Sequence, residues 1–346
     1  MSHQFEHEIK EQPEALARLL RDGRAAVAAA AAAIRARNPQ WALIAARGSS
    51  DNAARYAQYV LGLRNQLTVG LAAPSLFTLY GATPRMEHAL VIGISQSGQS
   101  PDIVAVLDAA RRDGATTLAL TNDPASPLAA AAEHVIPLCA GEEQAVAASK
   151  TYTNALCATA MLSAALASDA DAWNAIAEIP AQVERALSLN ASLDRVARSL
   201  RDVGQLAVIG RGLNFCTAFE VALKVKETGY MLAEAHSFAD FRHGHVAVVS
   251  RGFHALVVAP AGRTEGDAIE LLDLLTERRA STVALSDSKE ILRLAQHALP
   301  LPVGVPEWLS PIVAVVPGQL LALAFAVARG LDPDNPRGLT KVTLTR

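Results

Sequence analysis

The feature that most constrains this chain is that it contains itself twice. LIAARGSSDNAARYA, from Leu43, resembles AVIGRGLNFCTAFEV, from Ala207, and HALVIGIS, from His88, resembles HALVVAPA, from His254. TTLALTND from Thr116 matches STVALSDS from Ser281, and EHVIPL from Glu133 matches QHALPL from Gln296, every pair lying about 165 residues apart. Within each copy, short runs of Val, Ile and Leu end in Gly, Ser or Asn and alternate with alanine- and leucine-rich helical segments. That pattern predicts parallel strands with crossover helices, hence two tandem doubly wound α/β domains with helices on both faces. The expected organisation is an N-terminal helical segment over 1–34, a first domain over 35–165, a helical connector over 166–199, a second domain over 200–330 and a tail over 331–346.

A chain of 346 residues that is 51% hydrophobic and 19% charged can bury two cores. Its formal net charge of -3 provides no broad basic field for nucleic acid or an anionic membrane, so any anion must be captured by a local site. Cys139, Cys157 and Cys216 are scattered, without CxxC spacing, which suits a reducing cytoplasm. The first forty residues mix acids and bases unlike a signal peptide, and Ala25–Ile34 is too short to cross a bilayer. PIVAVVPGQLLALAFAVARG, from Pro311, is interrupted by Pro317, Gly318 and Gln319 and reads as a buried strand followed by a core helix. No membrane span is expected.

In open parallel sheets ligands bind beyond the carboxyl ends of strands, where helix N-termini present N–H groups and positive dipole. Two first-copy loops have that position: Gly48, Ser49 and Ser50 after one strand, and Ser95, Gln96, Ser97, Gly98 and Ser100 after another. Hydroxyls, an amide and a flexible glycine suit phosphate oxygens without excess charge. Such serines can also simply cap helices. The second copy, however, has APAGRTEG in place of SQSGQS, so the fold itself does not require them.

Glu220, Lys224 and Glu227 fall on one helical face by their i, i+4, i+7 spacing. An exposed salt-bridge row has the same spacing, but Val221, Ala222, Leu223 and Val225 leave little solvated surface, and apolar surroundings tune a carboxylate for proton transfer. His243 stands in FRHGH beside a glycine, with His245 nearby. No HxxxH or carboxylate spacing gives a closed ligand set, so neither metal nor cofactor is expected.

These motifs carry a resemblance. ISQSGQSPD, the GRG at Gly210, FEVALKVKETGYMLAEAHSFADFRHGH from Phe219 and the ending NPRGLTK together resemble the tandem sugar isomerase (SIS) family, in particular the isomerase half of glucosamine-6-phosphate synthase. The opening EIKEQPEALARLL and the form ARGSSDNAA are more similar to the free-standing, second-class glucosamine-6-phosphate deaminases. The resemblance covers nearly all of the chain beyond residue 35 and implies flavodoxin-like SIS domains. It implies that Ser50, Ser95, Gln96, Ser97 and Ser100 hold phosphate, that Ser49 approaches the sugar and that Val146 lines the ring. It further implies that His243, given by the partner subunit of a homodimer, opens the ring, that Glu227 shuttles a proton between C1 and C2, and that Lys341, with Lys224, stabilises an enolate-like oxygen or forms an imine. Glu220 belongs to the same catalytic row. One departure is Ala148, where the synthase pattern VAST has a serine.

The expected function is therefore conversion of glucosamine 6-phosphate to fructose 6-phosphate and ammonia. The synthase's glutaminase begins with a nucleophilic cysteine, whereas this sequence opens MSHQ and its first cysteine is Cys139. The alternatives are a ketose/aldose phosphosugar isomerase, a galactosamine-6-phosphate deaminase, a fructosamine-phosphate deglycase and a non-catalytic sugar-phosphate sensor.

Overall fold

The computed structural model describes residues 3–188 and 190–342, so the last four residues of the expected tail lie outside it. Three helices come first, α1 (Gln4–Lys10), α2 (Gln12–Asp22) and α3 (Arg24–Arg37). The first copy runs β1 (Trp41–Ala46), α4 (Ser49–Asn65), β2 (Thr68–Leu71), α5 (Ser75–Thr78), β3 (Ala89–Ile94) and α6 (Pro101–Arg112). It continues through β4 (Thr116–Thr121), α7 (Pro127–Ala131), β5 (His134–Pro137) and α8 (Lys150–Ala167). Helices α9 (Ala170–Ala177), α10 (Ile179–Ala186) and α11 (Asn190–Leu200) follow. The second copy comprises β6 (Gln205–Gly210), α12 (Phe215–Gly229), β7 (Leu232–Ser237), α13 (Phe238–Arg242), β8 (His254–Val258) and α14 (Glu265–Glu277). It ends with β9 (Ser281–Ser286), α15 (Lys289–Leu294), β10 (His297–Pro300) and α16 (Ser310–Ala328).

Both sheets are wholly parallel and share one topology, β2-β1-β3-β4-β5 and β7-β6-β8-β9-β10. Helices flank both faces, so the inner strands are apolar on each side. Every residue of β3 and β4 is buried, while the edge strand β2 contains none that is. On one face of each sheet a helix docks on the central strands: Ile103, Val106 and Leu107 of α6 cluster with Val91, and Leu271, Leu272 and Leu275 of α14 cluster with Val257.

The strand order reverses between β1 and β3, and again between β6 and β8. These are the switch points where such sheets leave a crevice.

The segment from Pro311 corrects an expectation. It holds no strand: Ser310–Ala328 is one continuous helix with Pro317 inside it. Among the described residues it is the one helix long and apolar enough to cross a membrane, yet 83% of its apolar window is buried within the protein. It packs on α12, and Gly318 permits this, because a Cβ there would lie 2.3 Å from Cγ2 of Val221.

The chain divides into two compact units. One comprises Met1–Glu11, Gln144–Ser149 and Ala181–Leu339, and the other Gln12–Glu143, Lys150–Pro180 and Thr340–Arg346. Each is described by itself below.

Candidate active site

In the unit built on the first sheet, Gly48 turns the chain out of β1 with φ 55° and ψ -131° into the N-terminus of α4, which opens with Ser49 and Ser50. The loop after β3 runs from Ser95, which is buried, through half-buried Gln96, Ser97 and Ser100. It is a compact polar turn. Ser95 Oγ accepts the Gly98 N–H at 3.1 Å, and Ser97 Oγ accepts the Gln99 N–H at 3.3 Å. Gly98 has φ 63°, and a Cβ there would come within 2.1 Å of Ser126 Oγ, so only glycine closes this turn. Capping does not account for all of the serines. Ser126 caps α7 through its side chain, whereas Ser100 stands at the N-cap of α6 with no side-chain cap bond.

Arg47 and Asp102 tie the two loops together. The Arg47 guanidinium donates from Nε to Asp102 Oδ2 at 2.9 Å, with its other nitrogen 2.8 Å from the same oxygen. The Asp102 carboxylate is 1% exposed and also accepts the Ile103 N–H, so the guanidinium beside the serine loops is neutralised. An anion entering this crevice would meet hydroxyls and backbone N–H groups backed by two helix N-termini.

Lys341 belongs to this same unit. Its Nζ lies 2.7 Å from Oε2 of Glu143, whose side chain is fully buried and also accepts the Thr151 N–H at 3.0 Å and the Thr151 hydroxyl at 2.7 Å. The serine loop connects to this pair through Asn122. The Asn122 N–H donates to Gln96 O, its Oδ1 accepts the Ala140 N–H, and its Nδ2 donates to Gly141 O two residues before Glu143.

In the other unit, α12 carries the charged row. Lys224 Nζ sits 3.3 Å from Glu220 Oε1 and 2.6 Å from Glu227 Oε2. The side chains of Glu220 and Lys224 are 0% and 1% exposed, so the row is not a solvated salt bridge. Glu227, at 19%, is the one member open to solvent. Burying one ammonium between two carboxylates costs several kcal/mol per ion unless the pairing is close.

His243 ends α13 on the exposed surface, its N–H bonded to Asp240 O at 2.9 Å. Behind it, His245 packs on His236 with ring centroids 4.3 Å apart, and His236 also meets Phe241 edge-on. Burial, followed by the neighbouring His245, pushes the His236 imidazole below its ordinary value, while Glu234 and Asp240 pull the other way. Half-buried Val146 lies in the segment that crosses into this unit. Glu8 Oε1 and Oε2 accept the N–H groups of Gln144 and Ala145, and Gln319 Nε2 donates to Ser149 O.

The second switch point is filled by the chain itself. Asp287 Oδ1 accepts the Ala261 N–H at 2.6 Å and Glu307 Oε1 accepts the Arg263 N–H at 3.0 Å, so carboxylates hold this loop where serine hydroxyls hold its first-copy counterpart. Of possible metal ligands among the described residues, His3, Asp332 and Asp334 form one cluster, in which Asp334 already accepts the Gln4 and Phe5 N–H groups at the start of α1.

With this geometry established, comparison with known proteins decides the family. The SIS domain profile matches residues 37–165 and 199–329.

The chain belongs to the SIS domain family.

It is 33% identical over 264 residues to the isomerizing glutamine–fructose-6-phosphate aminotransferase of Thermococcus kodakarensis, covering 74% of this chain and 44% of that protein. A crystal structure of a candidate phosphosugar isomerase from Silicibacter pomeroyi DSS-3 is 37% identical, with a TM-score of 0.88 over 96% of this chain and 100% of that one. The C-terminal domain of the glucosamine–fructose-6-phosphate aminotransferase of Francisella tularensis is 25% identical, with a TM-score of 0.86 over 97% of this chain and 99% of that one. The chain spans about half the length of the curated relatives it matches.

Against this SIS framework, sequence reasoning overlooked Arg47, Asp102, Asn122, Glu143 and Glu8. Arg47 left a signal, since an arginine ends the first strand of both copies, in LIAARG and AVIGRG. Glu143 left a weaker one, as an acid close to AVAASK. Asn122 and Glu8 act through backbone groups and leave no periodic mark.

Proposed function

We propose that this chain is a phosphosugar isomerase–deaminase that converts glucosamine 6-phosphate and water to fructose 6-phosphate and ammonia. The observation that carries the reading is the buried Glu220–Lys224–Glu227 row, in which a single carboxylate reaches solvent. Glu227 acts as the base that takes the C2 proton and returns it at C1. The imine left at C2 is hydrolysed, water supplying the carbonyl oxygen and nitrogen leaving as ammonia. Glu220 and Lys224 are sealed from solvent, so in this reading they hold and polarise Glu227, and Lys224 forms no imine. Ser50, Ser95, Gln96, Ser97 and Ser100 take the phosphate, Ser49 and Val146 face the sugar, and Lys341 faces the developing oxygen charge. His243 opens the ring in the site of a partner subunit, which suits its exposed position, so the working species is a homodimer. The serine loops and the relatives named for fructose 6-phosphate support a hexose 6-phosphate substrate.

The test is ammonia release across phosphorylated hexosamines, with glutamine absent. Ammonia and fructose 6-phosphate from glucosamine 6-phosphate are expected. Interconversion of a nitrogen-free aldose and ketose phosphate without ammonia would move the chain to simple isomerisation, and binding without turnover would make it a sensor.

A further inference from the structure

The Glu143 carboxylate is closed to solvent, so its burial must be compensated, and its donors include the Thr151 N–H, the Thr151 hydroxyl and Lys341 Nζ. Two of these lie within one turn of the start of α8. The third comes from a segment almost two hundred residues further along, with no regular structure to fix it. The Lys341 side chain is 23% exposed, so solvent reaches it while it is paired with Glu143. A long, flexible side chain on an irregular segment has high rotamer entropy, and a buried, hydrogen-bonded carboxylate is an effective way to confine it to one position.

The backbone around Glu143 is itself held in place. Asn122 grips Ala140 and Gly141 through both side-chain atoms, and its own N–H is bonded to Gln96 O in the serine loop. The position of the carboxylate is therefore referenced to the loop proposed to hold phosphate. The second copy also sends an acid, Glu307, from the segment after its last strand, but that acid binds the loop after β8. An acid at this place in the fold thus serves a local loop in one copy and a distant lysine in the other.

We infer that Glu143 is the positioning residue for Lys341, fixing its ammonium relative to the Ser95–Ser100 loop while making no contact with the reacting carbons. The inference rests on the reading that Lys341 serves the phosphosugar reaction. Replacing Glu143 with Gln keeps an acceptor for the Thr151 N–H and a group for its hydroxyl, and removes the charge that Lys341 needs.

The experiment uses the full chain. Amine-reactive ester labelling followed by peptide mass spectrometry compares Lys341 with exposed Lys289 in wild type, Glu143→Gln and Thr151→Val. Lys341 is expected to react slowly in wild type, to approach the Lys289 rate in Glu143→Gln and to fall between them in Thr151→Val. Equal Lys341 rates in wild type and either variant overturn the inference whether or not any sugar is turned over, and Thr151→Val decides the matter if Glu143→Gln does not fold.

Kinetics supply the second arm. Glu143→Gln should lower kcat by about 10²-fold, the scale of a misplaced reacting group, with KM for the hexosamine phosphate little changed. In a Lys341→Ala background it should lower kcat no further. Full kcat in Glu143→Gln alongside a dead Lys341→Ala overturns the positioning role and leaves the functional reading intact. Full kcat in Lys341→Ala overturns the role of the lysine itself, and with it any catalytic consequence of the pair.

Discussion

In the first copy the loops after β1 and β3 end in the hydroxyls of Ser49, Ser50, Ser95, Ser97 and Ser100, whereas in the second the loop after β8 has its N–H groups bonded to Asp287 and Glu307. The helices differ in the opposite sense. When Trp41 is set on Gln205, the positions that fall on Glu220, Lys224 and Glu227 are Tyr56, Val60 and Leu63. What the copies share is mechanical. Arg47 pairs with Asp102 and Arg211 with Asp267, in each case joining the loop after the first strand to the helix after the third. The shared fold therefore needs the Arg–Asp tie and tolerates either polar set. The hydroxyl-rich loops and the buried charged row are separate specialisations of two copies that began alike.

The sharpest way to break that comparison is to remove the charge from α12. Lys224→Ala leaves Glu220 and Glu227 without their cation and should cost about 3–5 kcal/mol of unfolding free energy, read from urea denaturation. Val60→Ala at the aligned position loses only methyl groups and should cost less. Equal losses at the two positions would mean that the row is packing rather than a charged device.

Next in size is Glu227→Gln, which keeps shape and removes the proposed base. Deuterium incorporation from solvent at C1 or C2 of the sugar should fall by about 10²-fold or more. Undiminished exchange would take the base away from α12 altogether.

Ser97→Ala tests the other half. Calorimetry with a hexose 6-phosphate should show affinity weakened by about 1–3 kcal/mol, the range for a lost hydrogen bond to a charged group. Ala261→Ser in the second-copy loop should add nothing, because the neighbouring N–H groups there already have carboxylate partners. Affinity gained at residue 261 would erase the asymmetry.

The smallest effect is on acid stability. His236 is held below its ordinary value of 6.5 mainly by burial, so on acidification the unfolded chain takes up this proton before the folded one. Its contribution is full well above 6.5 and is lost progressively as pH falls below 6.5 toward the folded value. His236→Gln should flatten that part of the urea midpoint against pH, and an unchanged slope would exclude His236 as its source.

Much of this arrangement was legible beforehand because duplication prints itself at a fixed spacing. Strand runs such as ALVIGI and TTLALT are apolar on both faces, and the serines stand where a switch point places them. Other features were hidden for definable reasons. The Pro317–Gly318 interruption reads as a break, yet in the fold Gly318 is the close approach that seats α16 against Val221 of α12. The pairing of Lys341 with Glu143 joins residues far apart in sequence through side-chain geometry alone, and nothing in the periodicity of either segment announces it.

The interleaving of the two units has a consequence for the order in which the molecule can assemble during translation. The helix bearing Phe5, Glu8 and Ile9 is synthesised long before most of the unit that buries it, whose segments run out to Leu339. Glu8 gains its partners Gln144 and Ala145 only when the nascent chain has passed the first sheet, and α16, against which α1 packs, comes much later. Until then the Phe5 and Ile9 side of this helix lacks the partners that bury it. Lys341 is synthesised after every other proposed site residue, so a ribosome stalled shortly before it would leave a chain with both sheets encoded and its buried Glu143 carboxylate without the Lys341 ammonium.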